Sequence, residues 1–265
     1  MVGYLRLVTL IVVLALFTLA MAPVQLMAIK FNLKFAKHLP KYWHKVAVWF
    51  AGVNVKVNGS IPKTRPLLIV SNHISWMDIP VLGSITDLAF IAKREIGEMP
   101  GANFLSYLQR TILVTRENQR EAGKQAQAIT NRLLNNEAIV LFAEGTTRDG
   151  TLIGEFKSSL FGAAQYALAS HLMEKIYIQP VSIAYTKCHG IRMGRNLRKE
   201  VAWVGDQSLF SHAKKVLLKS GYDVEVTFGE MIEVDGFAKR RELASQTHAQ
   251  VYTMFMKSLH NRKTV

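Results

Sequence analysis

The pattern of apolar and polar positions divides the chain near residue 50. Residues 7–29 (LVTLIVVLALFTLAMAPVQLMAI) form an uncharged run of 23 residues. At about 1.5 Å of rise per residue, a helix of this length reaches across a hydrocarbon layer roughly 30 Å thick. Pro23 is expected to kink or end it. A helix apolar on all sides needs protein on all sides to be a core element, so a retained membrane segment is the better reading. A cleaved signal peptide fits less well: Ala20-Met21-Ala22 resembles a cleavage site, but Pro23 would follow the cut and only Arg6 precedes the run. Next, Lys30, Lys34, Lys37, Lys41 and Lys45 recur at helical spacing, with Leu39, Trp43, Val46, Ala47 and Phe50 on another face. This predicts an amphipathic segment on anionic lipid, broken at Pro40, with the Trp43 and Trp49 rings at the headgroup boundary.

From residue 52 the period changes. Val53, Val55 and Val57 alternate with polar residues before the Asn58-Gly59 turn signal. Short apolar runs at 66–70, 88–92, 111–115, 138–142, 176–184, 200–204 and 224–228 read as strands. Helical patterns at 118–135, 156–173 and 238–260 lie among them. Strands alternating with helices predict an α/β domain with a mostly parallel mixed sheet flanked by helices. The expected organisation is membrane-anchoring helices over 1–50 and one domain over 51–265.

Charge sharpens this picture. The net charge is +14, and nine basic residues precede the first acid, Asp78. Such a balance favours polyanions; the attached apolar span argues for an anionic membrane and against nucleic acid. One basic residue before the span and several after it place the domain on the cytoplasmic side, at a cell inner membrane. Cys188 is the only cysteine, which excludes an intramolecular disulfide framework and a cysteine-rich zinc site.

Candidate chemistry gathers where strands end. After the strand at 66–70 comes SNHISWMDIP, with His73 and Asp78 five residues apart before a helical stretch. An imidazole can take a proton from an alcohol, and a carboxylate can orient it and balance its charge. No nucleophile elbow accompanies them. Direct activation of a substrate hydroxyl is the simplest use of the pair; a helix-capping surface histidine is the bland alternative. After the strand at 138–142 comes the glycine-bearing AEGTTRDG loop with Glu144, Gly145, Thr146 and Arg148. Thr151 stands where a P-loop requires lysine, so nucleoside triphosphate binding is rejected. Lys93 and Arg116 follow two further strands. In a parallel sheet these strand ends share one edge, where cations suit a phosphate.

Together these blocks resemble the glycerolipid acyltransferases, the lysophosphatidate acyltransferase family. NHISWMD is similar to its N-H-x-x-x-x-D signature, AKREIGEMPG…VTRE to its second block, FAEGTTR to its F-P-E-G-T-R block, and IQPVSI to its fourth. Ala143 stands where proline is usual and Thr147 where arginine is usual, with Arg148 one place on. The resemblance covers residues 65–185 and implies a glycerol-3-phosphate acyltransferase-like fold. It implies transfer of an acyl chain from acyl-CoA or acyl carrier protein, as co-substrate, to the 2-hydroxyl of 1-acyl-glycerol-3-phosphate. No metal or resident cofactor is implied. His73 and Asp78 would be catalytic; Glu144, Gly145 and Thr146 would position the acceptor; Arg116, Lys93 and Arg148 would bind its phosphate. The tail WVGDQSL…VEVTFGE is similar to members that acylate lyso-ornithine lipid, which is the alternative acceptor. A non-catalytic lipid-binding protein is the reading from a different class.

Overall fold

The computed structural model describes residues 2–115, 119–169, 173–205, 207–219 and 221–260. Helix α1 (Val2–Lys30) continues through Pro23 without ending. The Lys34–Lys37 segment is a 3₁₀ turn, and α2 (Leu39–Phe50) has Pro40 in its first turn, where the missing N–H costs no helical bond. Pro40 therefore starts a helix, and the five lysines are spread over three elements. Trp49 is exposed, while Trp43 turns inward and donates its indole N–H to Thr18 Oγ1 at 2.8 Å.

The chain then alternates. It runs β1 (Val53–Asn58), β2 (Leu67–Ser71), α3 (Asp78–Ile85), β3 (Ala89–Lys93), α4 (Ala102–Leu108), β4 (Ile112–Val114), α5 (Gln119–Leu134), β5 (Ile139–Phe142) and α6 (Gly162–Ala169). It continues through β6 (Ile176–Cys188), β7 (Ile191–Arg192), α7 (Arg195–Val201), α8 (Leu209–Lys219), β8 (Tyr222–Phe228), β9 (Ile232–Val234) and α9 (Arg240–His260). Among the described residues these strands form one sheet of order β1-β8-β6-β2-β5-β3-β4, with β7 and β9 also on β6. The pairs along β6-β2-β5-β3-β4 are parallel, and β6 is antiparallel to β7, β8 and β9. This is the mixed, mostly parallel α/β architecture expected from the sequence.

The apolar run at 200–204 is not a strand. Its first residues complete α7, and Val201 and Ala202 are buried. A run this short carries no period of its own, so packing decided its conformation. Helix α6 is likewise shorter than the 156–173 pattern, being preceded by a 3₁₀ turn at Ser158–Phe161.

Two features fix the edge that carries the chemistry. β2 is buried along its whole length between β5 and β6, with Ser71 opposite Phe142 and Val181. The loops after β2 and β5 must therefore emerge side by side. Pro180, inside β6, falls between the residues paired with β9 (Ile176, Tyr177, Ile178) and those paired with β8 (from Val181). Its lack of an N–H coincides with this change of neighbour, where proline disrupts least.

Candidate active site

Asp78 opens α3 and is fully buried. Its Oδ2 accepts the backbone N–H groups of Ile74 (2.7 Å) and Ser75 (3.0 Å) and lies 2.7 Å from His73 Nδ1. Its Oδ1 accepts the Tyr185 hydroxyl at 2.8 Å. A carboxylate that only accepts makes Nδ1 the protonated ring nitrogen of His73 and leaves Nε2 as its base. The ring stacks on Phe142 with centroids 3.9 Å apart and planes 12° apart. Asn72 fixes the loop from the other side: its amide clamps the backbone of Ile183, accepting N–H and donating to C=O at 2.9 Å each.

Glu144 is buried and spends both oxygens on the scaffold. Oε1 accepts the His73 backbone N–H at 2.9 Å, and Oε2 accepts that of Gly154 at 2.7 Å. Burial pushes its carboxyl up to about 7, outweighing these two N–H groups and the nearby Arg148. Gly145 has φ +73°, a left-handed conformation that turns the chain sharply after Glu144. Thr147 donates its hydroxyl to the Trp203 carbonyl, while Trp203 N–H donates to Ile74 O at 2.9 Å. The threonine in the usual arginine position thus ties both loops to the segment after α7. Arg148 donates its backbone N–H to His73 O at 2.9 Å, and its Nε lies 3.6 Å from Glu144 Oε2.

A cavity of about 1120 Å³ opens beside this pair. His73, Lys93, Gly145 and Thr146 line it; Asp78, Glu144 and Arg148 do not. Arg116 lies outside the described residues. The apolar wall includes Met21 and Ala22 of α1, Trp43 of α2, Phe90, Leu105 and Ile129. It also holds His44, which bonds Gln109 Oε1 at 2.6 Å and whose burial pushes it down to about 4, keeping it neutral. Sequence reasoning missed Tyr185, whose burial and proximity to Asp78 hold its phenol well above the ordinary range, so that it stays a donor. It lies on β6, 107 residues along the chain from Asp78, so no local signal marks it.

The arrangement presents an imidazole base, backed by a buried carboxylate, to an apolar cavity large enough for acyl chains. The sequence model of the family described as Acyltransferase matches residues 52–184. A lyso-ornithine lipid O-acyltransferase of Rhizobium meliloti is 37% identical over 99% of this chain and 90% of its own. This chain belongs to the acyltransferase family. A second relative with the same description, from Brucella abortus, is 36% identical over 99% of this chain and 98% of its own. A 1-acyl-sn-glycerol-3-phosphate acyltransferase of Neisseria gonorrhoeae is 29% identical, over 37% of this chain and 38% of its own. The fold is that of the crystal structure of the 1-acyl-sn-glycerophosphate (LPA) acyltransferase PlsC from Thermotoga maritima. That likeness has a TM-score of 0.60 at 22% identity over 98% of this chain and 100% of that one. With α1 long and apolar enough to cross a membrane, this acyltransferase is membrane-associated.

Proposed function

We propose that the protein is a lyso-ornithine lipid O-acyltransferase, the alternative in the sequence reading rather than its first choice. The observation that carries this is the extent of similarity. Relatives described by that activity match almost the whole chain, whereas a relative described as acting on 1-acyl-glycerol-3-phosphate matches little more than a third. The placement of Arg148 supports this reading: its Nε lies 3.6 Å from Glu144 Oε2, outside the cavity lining.

In this reading His73 Nε2 removes the proton from the acceptor hydroxyl as its oxygen attacks the carbonyl carbon of an acyl thioester, from acyl-CoA or acyl carrier protein. Asp78 steadies the imidazolium that forms. The tetrahedral adduct expels the thiolate, which takes the proton back from His73. One ester forms, one thioester breaks, and no acyl-enzyme is required. Glu144 is a positioning residue for the His73 loop, and Gly145 and Thr146 meet the acceptor beside Lys93.

The cavity wall contributed by α1 supports lateral entry of a lipid. The same domain touches α1 near both ends: a Cβ on Gly3 would lie 2.7 Å from Leu218 O, and Gln25 Nε2 donates to Leu108 O at 2.7 Å. These contacts are about 33 Å apart along the helix, and the α8 side carries exposed Lys214, Lys215 and Lys219. We therefore place α1 along one leaflet, with Leu5, Ile11, Leu16 and Leu19 in lipid and the domain on the cytoplasmic face of a cell inner membrane. The test uses the purified full chain and measures thiol release from acyl-CoA with lyso-ornithine lipid, with lysophosphatidate, and with neither. Release at least tenfold faster with lyso-ornithine lipid is expected. The reverse preference refutes the acceptor, and acceptor-independent release or none refutes the transferase mechanism.

A further inference from the structure

The charged residues on the cavity wall are all of one sign. Lys93, Lys157 and Arg240 line it, and no described lining residue is an aspartate or glutamate. Lys93 belongs to a family block, but Lys157 and Arg240 belong to none. They come from separate elements that the fold brings together. The Lys157 backbone N–H donates to Ala143 O at 2.9 Å, which pins it beside the Glu144 loop. Arg240 begins α9, and its Nη1 lies against the start of α6, 3.5 Å from where a Cβ on Gly162 would sit. Gln165 Nε2 donates to Ala238 O at 2.8 Å and fixes the approach to α9. Lys157 and Arg240 are exposed, and neither forms an ion pair with a carboxylate among the described residues. Lys239 and Arg241 flank Arg240 at the positive end of α9; Lys239 pairs with Glu242 of the first turn at 3.5 Å, which leaves Arg240 and Arg241 facing a helix end that favours an anion. Helix α9 packs on β6, β8 and the turn before α6, whereas α1, to which the transferase reading assigns lipid entry, packs on α2, α4 and α8. The anion expected here is therefore a water-borne one.

We propose that Lys157 and Arg240 form the docking site for the phosphate of the donor's phosphopantetheine arm, which carries the acyl thioester into the cavity. This deepens the transferase reading and rests on its donor step. The chemistry is shared by acyl-CoA and acyl carrier protein. Exposed charge contacts of this kind give changes of about three- to five-fold each.

The test compares the full chain with K157A, R240A and the charge reversal R240E, using acyl-CoA, acyl carrier protein and acyl-pantetheine, which lacks the phosphate. Each alanine variant is expected to raise KM for both phosphate-bearing donors about three- to five-fold and R240E more, with acceptor KM unmoved. With acyl-pantetheine the variants should match the parent. Raised salt should raise the parent's donor KM and shrink the difference. A deficit that persists with acyl-pantetheine overturns the proposal. So does one confined to a single phosphate-bearing donor, or one that appears in the acceptor KM. Loss of turnover in the parent with every donor and acceptor would instead sink the transferase reading itself.

Discussion

Replacing Asp78 by asparagine separates charge from geometry at this site. Two backbone N–H groups, from Ile74 and Ser75, point at Oδ2. In Asp78→Asn the amide oxygen must take that position, because an NH₂ there would face two donors. It still accepts from His73 Nδ1, so the tautomer is kept. The new NH₂ replaces Oδ1 and meets Tyr185, whose hydroxyl turns to accept. What is lost is the negative charge beside the imidazolium. Two unit charges about 4 Å apart at an effective dielectric near 20 interact by about 4 kcal/mol, a ceiling of about 10³ in rate. The expected result in the thiol-release assay is a kcat lower by about 10²–10³. Acceptor KM should stay within about two-fold and the thermal midpoint within a few degrees. Activity within tenfold of the parent would refute charge stabilisation of His73 by Asp78. Collapse of the thermal midpoint would refute the argument from amide orientation.

Further outcomes follow from the same geometry. Tyr185→Phe removes the donor to a buried carboxylate oxygen; it should cost about 2 kcal/mol, read as a thermal midpoint lower by about 4–8 °C. The Glu144 carboxyl is raised from 4.5 to about 7, so the folded state holds its proton more tightly than the unfolded one. The resulting stabilisation is complete below pH 4.5 and is lost as pH rises through about 7, on the order of 3 kcal/mol in all. Denaturant unfolding at pH 5 and pH 8 should show this loss in the parent and not in Glu144→Gln; an equal loss in both would assign it elsewhere. Leu16→Glu with Leu19→Glu, on the exposed side of α1, should weaken sedimentation with anionic vesicles while leaving the thermal midpoint unchanged. Undiminished vesicle binding would show that this face does not meet lipid.

By itself the sequence determined what local pattern and chain chemistry can determine. The long apolar run could only be a helix with a special environment, because no uncharged stretch of that length stays in water. Alternating short strands and helices required a largely parallel sheet, and His73 and Asp78 stood close enough in sequence to be read as a pair. Tertiary structure decided everything that depends on which strands are neighbours. The pairing of β2 with β5 put the Glu144 carboxylate on the His73 backbone, which made it a support and not a cavity wall. The parallel pairing of β6 with β2 delivered Tyr185 to Asp78 across more than a hundred residues of chain. Thr147 found its partner only because the segment after α7, whose apolar run resembled a strand, lies across both loops. Hydrogen bonds and charge pairs act over a few ångströms, and no spacing within one chain segment records a contact that folding alone creates.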